Sequence, residues 1–234
     1  MEISDQLLLL PLWYVVFLLS VTCHEAAHAL AAHLGGDDTA YLGGQVTLNP
    51  IPHMQREPIG TMAAPVVTFF LMGWMMGWAS APYDPTWEGR HPRRAALMAL
   101  AGPLANLALF AVAFAVIKVG LGTGTWEYSG AEWSIDRLVV PSAAEAGALE
   151  AISRLASITL ILNLVLFLFN LLPLPPLDGS SVLAGLFGPG RRLRELLLDS
   201  PMGGFGGLIL AWIVFPTLFR PVWSVVVAAL YGGL

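Results

Sequence analysis

The chain has 234 residues, is 56% hydrophobic and only 12% charged, which excludes an ordinary soluble domain and points to a polytopic membrane protein. A net charge of -5 without any basic block argues against a nucleic-acid partner, and a single cysteine, Cys23, excludes an intrachain disulfide. The length suits one membrane-embedded domain over residues 1–234, with a core at 7–190 and a C-terminal membrane segment at 205–231.

The N-terminus reads Met1-Glu2-Ile3-Ser4-Asp5, without a basic leader or a small-residue cleavage site, so no cleaved signal peptide is expected. Five apolar segments follow: Leu7–Leu34, Ile59–Ala79, Arg94–Val119, Ile152–Leu172 and Phe205–Leu230. Each reaches the roughly 20 residues that a helix needs to span a bilayer. After the first, Gly35–Pro58 is polar and glycine-rich, and Tyr41–Leu48 has the pattern of a short strand pair. Ser80–Arg93 holds three prolines. Gly120–Glu150 is acidic (Glu127, Glu132, Asp136, Glu145, Glu150), with Trp126, Tyr128 and Trp133 suited to an interface. Pro173–Gly204 opens on a proline run, and Arg191–Leu198 within it is short and amphipathic, as for a helix on a membrane surface. Pro216, Arg220 and Pro221 interrupt the last segment, which reads either as one kinked span or, preferably, as a short span followed by an interfacial helix.

The first segment holds the least expected residues. His24-Glu25-Ala26-Ala27-His28 follows a run, Leu7–Thr22, with no charged side chain. Two imidazoles and a carboxylate in such a setting mark a site by default, because nothing in lipid solvates them. On a helix, positions i and i+4 share a face, so His24 and His28 can hold one metal ion. Zinc takes imidazole nitrogen, and a catalytic site has three protein ligands and a water. Glu25 is placed to act as general base. The third ligand must come from elsewhere; Glu150, Asp178 and Asp199 lie near later apolar segments. Asp178 ends Asn170-Leu171-Leu172-Pro173-Leu174-Pro175-Pro176-Leu177-Asp178-Gly179, where prolines block regular helix and leave backbone that can line a cavity or simply close a loop.

Four stretches together resemble the site-2 protease family of intramembrane zinc metalloproteases, in particular its compact prokaryotic members without a PDZ domain. They are H-E-A-A-H at His24–His28, G-G-Q-V-T-L-N-P at Gly43–Pro50, A-G-P-L-A-N at Ala101–Asn106 and N-L-L-P-L-P-P-L-D-G at Asn170–Gly179. The resemblance implies one Zn2+ ion held by His24, His28 and Asp178, with Glu25 as catalytic base. It implies a transmembrane protein or peptide as substrate and a prokaryotic cell membrane as the location. From the residues alone, a zinc transporter or sensor, or an inactive scaffold, stays open beside it. Asn106 and Asn170 are candidate site-lining amides, or cross-links between helices.

Ligands of one ion must meet at one depth. His28 lies six residues before Leu34, about 9 Å of helix, and Asp178 lies just past Leu172. Both sit toward the C-terminal ends of their spans, so those spans run the same way. That holds only if Ile59–Ala79 does not cross, so a re-entrant hairpin is expected there, with Gly73 and Gly77 as bending points. Arg56, Arg90, Arg93, Arg191, Arg192 and Arg194 then share one side, which the positive-inside rule makes cytosolic. The expected fold is an all-α polytopic membrane protein: a helical bundle with a short membrane-associated β element after the first span and a re-entrant hairpin. His33 falls about 140° around the helix from His28 and is not expected as a ligand. His53 and His91 read as solvent-exposed loop residues, Cys23 as a packed thiol, and Phe69–Trp78 as lipid-facing or core.

Overall fold

The computed structural model describes residues 3–130, 134–143, 147–199 and 203–232; Glu132, Trp133 and Glu145 lie outside the described residues. Four described helices are long and apolar enough to cross a membrane. They are α1 (Ile3–Leu34), α6 (Pro92–Gly122), α7 (Gly147–Asn170) and α10 (Gly203–Tyr231), numbered in chain order together with the shorter helices between them. Their outer faces carry Leu8, Val15, Leu30, Val112, Ile152, Ile213 and Val225, which suit lipid rather than water. One buried cluster joins Trp13, Phe17 and Val21 of α1 to Ile158 and Leu162 of α7 and to Phe69 and Met75. A second joins Ala113 and Ile117 of α6, Leu160 and Leu164 of α7, and Val226 and Leu230 of α10.

Between α1 and α6 the chain goes into the bundle and comes back. A π-helical turn, Ile59–Ala63, leads into α4 (Ala64–Met72), which stops at Gly73. Gly73 has φ 79°, the left-handed conformation that ends helices and that glycine adopts without strain. The chain then returns extended. Trp78 N–H donates to Gly60 O (3.1 Å), and the Thr68 hydroxyl bonds both Met76 N–H (2.8 Å) and Met76 O (3.2 Å). The two limbs touch where Gly77 crosses Gly60; a side chain at Gly77 would collide with the Gly60 carbonyl. The apolar helix Ile59–Met72 falls short of the length of a span, and the chain doubles back as the expected hairpin. Of its two candidate bending points, only Gly73 turns the chain, and Gly77 instead allows the limbs to approach.

Three other expectations change. Tyr41–Leu48 is not a strand pair. The Asp37 carboxylate accepts from Thr39 N–H (3.0 Å) and Thr39 Oγ1 (2.5 Å), and the one-turn helix α2 (Thr39–Leu42) follows. Local side-chain bonds of this kind compete with a ladder, and Gln45 N–H turns back to Ala40 O. The fold does have a β element, an antiparallel pair of β1 (Trp126–Tyr128) and β2 (Val139–Pro141), but it follows α6. The last apolar segment is one helix, α10, continuous through Pro216 and Pro221, rather than a short span and an interfacial helix. In an apolar setting the backbone has no partner outside the helix, so it stays helical on both sides of each proline. His53 is buried, with its Nε2 3.1 Å from Thr47 O, rather than exposed.

The remaining elements tie down the face where α1 ends. They are α3 (Pro50–Arg56), α5 (Pro85–Arg90), α8 (Asp178–Leu186) and α9 (Gly188–Leu198), the last matching the amphipathic helix expected at Arg191–Leu198. Asp37 also accepts from Asp84 N–H (2.8 Å), joining the end of α1 to the segment that leaves the hairpin. Burial pushes its carboxyl up, but the bonds from Thr39 and Asp84 outweigh that and hold it below the usual carboxylate range. A lowered folded-state value stabilises above the unfolded value of about 3.9 and is lost as pH falls through the folded one. Asp37→Ala should therefore lower the thermal midpoint at neutral pH. The gap from wild type should shrink below about pH 4, measured by thermal denaturation in detergent across pH.

Candidate metal centre

Within α1, His24 and His28 sit one turn apart, both buried, and their rings meet edge to face with centroids 4.6 Å apart. Asp178 arrives from the other end of the sequence. After α7 the proline run 173–177 carries the chain back to the bundle, and Asp178 opens α8. Gly179 makes this approach possible, because a β-carbon there would collide with the carbonyls of Leu171 and Leu172. His24 Nε2 and Asp178 Oδ2 stand 3.0 Å apart, His28 Nε2 and Asp178 Oδ2 3.4 Å, and the two Nε2 atoms 3.0 Å.

These separations test whether a metal fits. Bonds of about 2.0 Å in a tetrahedron place ligand atoms about 3.3 Å apart, the spacing found here. The chemistry of the donors agrees. His28 Nδ1 lies 2.7 Å from Met98 O, a carbonyl that can only accept, so Nδ1 carries a proton and Nε2 is the nitrogen left to bind a metal. His24 Nδ1 lies 2.6 Å from Asn106 Oδ1. Two imidazole nitrogens and a carboxylate oxygen this close need a positive charge among them, which a metal ion supplies to all three at once. The fourth side of the cluster is kept clear by Gly102 of α6. A β-carbon there would stand 2.6 Å from His24 Nε2 and closer still to His28 Nε2.

The cluster opens on a cavity of about 760 Å³. Its wall is Phe17, Val21 and Glu25 of α1, the extended limb from Trp74 to Ser80, Leu162 and Phe169 of α7, and Trp212 of α10. Glu25 is buried beside His24 and lines this cavity. Of the two candidate amides, Asn106 touches His24, while Asn170 lines the cavity and donates to Leu166 O (3.0 Å). His33 is apart from the cluster, bonded to Asp38 and stacked on Tyr41, as its helical angle requires. His91 precedes α6, and Cys23 is a half-buried free thiol. In the sequence Gly102-Pro103 reads as a structural place where helices approach closely, not as a site group, and the Met98 carbonyl, being backbone, leaves no trace there.

The model of peptidase family M50 matches residues 12–197, which takes in α1, the hairpin, α6, α7 and α8. The chain belongs to that family, the site-2 proteases. A Bacillus subtilis (strain 168) protein named "Putative zinc metalloprotease YwhC" is 34% identical over 82% of this chain and 76% of its own. Two further relatives are both named "Putative zinc metalloprotease Rip2". The one from Mycolicibacterium smegmatis is 27% identical over 87% of this chain and 67% of its own. The one from Mycobacterium tuberculosis (strain H37Rv) is 30% identical over 71% of this chain and 54% of its own. No solved structure matches. Family and relatives make the chain a zinc metalloprotease, and with its apolar helices an integral membrane protein. That membership also decides against the transporter and sensor readings.

Gly102→Ala should abolish zinc retention while leaving the bundle folded, since one methyl group takes the space between both imidazoles and the ion. Metal content by mass spectrometry, with helix content by circular dichroism, checks it. A variant that keeps one zinc per chain would show that the cluster tolerates the methyl group.

Proposed function

We propose that this membrane metalloprotease cleaves membrane-anchored protein segments inside its own bundle, with His24, His28 and Asp178 as zinc ligands and Glu25 as the base. The observation that carries this reading is the position of the His-His-Asp cluster. It borders a cavity whose other walls are apolar side chains of membrane-type helices and an extended stretch of backbone. Such a cavity suits an apolar polypeptide better than a soluble one.

Zinc, when bound there, supplies Lewis acidity toward water and toward a peptide carbonyl. Glu25 takes a proton from the attacking water and passes it to the amide nitrogen as the carbon–nitrogen bond breaks. The protein's other task is to present that bond. A helical substrate keeps its carbonyls in its own hydrogen bonds, so it must be extended before attack. The hairpin's returning limb offers a template. Its Met76 and Trp78 N–H groups bond the helical limb, whereas those of Met75, Gly77 and Ala79 take no partner among the described residues. This alternation is that of an edge strand, which pairs with extended chains. In this reading an extended substrate adds to the Trp74–Ser80 limb by β-augmentation.

Reconstituted in liposomes with a test transmembrane substrate, Glu25→Gln should cut at least about a hundredfold more slowly yet retain zinc. His24→Ala and Asp178→Ala should lose both zinc and cleavage. Cleavage by Glu25→Gln at the wild-type rate would remove Glu25 from the base role. In this reading the arginine-rich side that holds Arg56, Arg90, Arg93, Arg191, Arg192 and Arg194 is cytosolic, and the site opens there. On a Cys23→Ser background, Asp38→Cys and Ser80→Cys should both react with a membrane-impermeant thiol reagent only in inverted vesicles. Reaction of the two from opposite faces would defeat the topology.

A further inference from the structure

Three buried polar side chains outside the metal cluster form a chain that ends on His24. Ser20, Asn106 and Asn163 come from α1, α6 and α7, and each is 1% exposed or less. The Ser20 hydroxyl donates to Val16 O (2.7 Å). Asn163 Nδ2 donates to Ser20 Oγ (2.9 Å) and to Thr159 O (2.9 Å). Asn106 Nδ2 donates to Asn163 Oδ1 (2.9 Å) and to Ser20 O (3.2 Å). Asn106 Oδ1 then faces His24 Nδ1 at 2.6 Å.

The direction of every bond in this chain is forced. The Val16 carbonyl can only accept, so the single hydroxyl proton of Ser20 points to it, and Ser20 Oγ must accept from Asn163. The side of Asn163 that faces Ser20 and the Thr159 carbonyl is therefore its NH2, which turns its oxygen toward Asn106. Asn106 must in turn present NH2 to that oxygen and to the Ser20 carbonyl, which leaves its own oxygen for His24. An amide oxygen can only accept, so His24 Nδ1 carries a proton, which leaves Nε2 as the nitrogen that can offer a lone pair to a metal. Both protons of each amide are used, and no amide can flip without setting oxygen against oxygen.

We infer that Asn163, anchored by Ser20, is a positioning residue that acts through Asn106 to hold His24 in the tautomer whose Nε2 can bind zinc. The inference rests on the reading of His24 as a zinc ligand. It assigns a function to an amide that none of the four sequence motifs contains. It also explains why α7, an apolar helix, carries an amide at a fully buried position facing α1 and α6. His28 has no such need, because a backbone carbonyl orients it directly.

The test is zinc affinity of the full-length protein in detergent, by chelator competition, with the thermal midpoint recorded for each variant. Asn163→Leu should weaken zinc binding about tenfold or more, the usual cost of losing a group that orients a metal ligand. Asn106→Leu combined with Asn163→Leu should bind no more weakly than Asn106→Leu alone, because the second residue acts only through the first. A merely structural Asn163 would lower the thermal midpoint and leave affinity of the folded protein unchanged, and that result overturns the inference. One measurement needs no variant. In the zinc-loaded wild type, nitrogen-15 resonances should show His24 protonated at Nδ1 and coordinated through Nε2; coordination through Nδ1 overturns it. His24→Ala separates the two levels. If it binds zinc as wild type does, the ligand reading itself fails. If it loses zinc while Asn163→Leu does not weaken binding, only the positioning role fails.

Discussion

Three polar atoms from distant parts of the chain must lie about 3 Å apart inside an apolar bundle, and most of the architecture answers to that requirement. A helix supplies two of them for nothing, since His24 and His28 share a face. The third lies 154 residues beyond His24 and has to reach the same depth. It does so because α7 runs in the direction of α1 and because the proline run after it turns Asp178 inward. Both conditions depend on a hairpin that returns to the side from which it started. A full crossing at 59–79 would deliver Asp178 to the wrong face.

The same apolar surroundings explain where irregular backbone appears. Unpaired amide groups are tolerated at membrane depth only where protein buries them or a cavity receives them. The returning limb of the hairpin satisfies both terms. One edge of it is bonded to α4 and the turn before it, and the limb lines the cavity at the metal cluster. The proline run 173–177 does likewise, packing so closely on α10 that Gly207 leaves no room for a side chain beside Pro175. Strict helicity elsewhere has the same origin, as the uninterrupted course of α10 through two prolines illustrates.

Much of the site was legible because its chemistry is expensive. Two histidines and a glutamate in an uncharged run announce themselves, and the requirement for a common depth led from them to the hairpin. Asn106 stood out as a buried amide, and the structure brings it onto His24. The unread parts are those whose cost is hidden. Gly102 acts by lacking a side chain, and the Met98 carbonyl belongs to every sequence alike. Asn163 and Ser20 are ordinary residues whose roles exist only once three helices have met. Strand patterning failed at Tyr41–Leu48 because Asp37 offered the backbone a nearer acceptor, a competition among neighbours that periodicity does not weigh. The proline positions in α10 misled for a related reason, since a rule learned in water overstates the ease of breaking a helix in lipid.

The distance along the chain between the two histidines and Asp178 also sets an order of events during synthesis. When α1 enters the bilayer it brings two imidazoles and a carboxylate with nothing to meet them. Asn106 arrives with α6, Asn163 with α7, and Asp178 only after α7 has left the ribosome. A nascent chain halted before that point holds half a cluster and an unsatisfied His24. On the ligand set proposed above, acquisition of metal thus waits until the chain has been made past α7, while α10 is still to come.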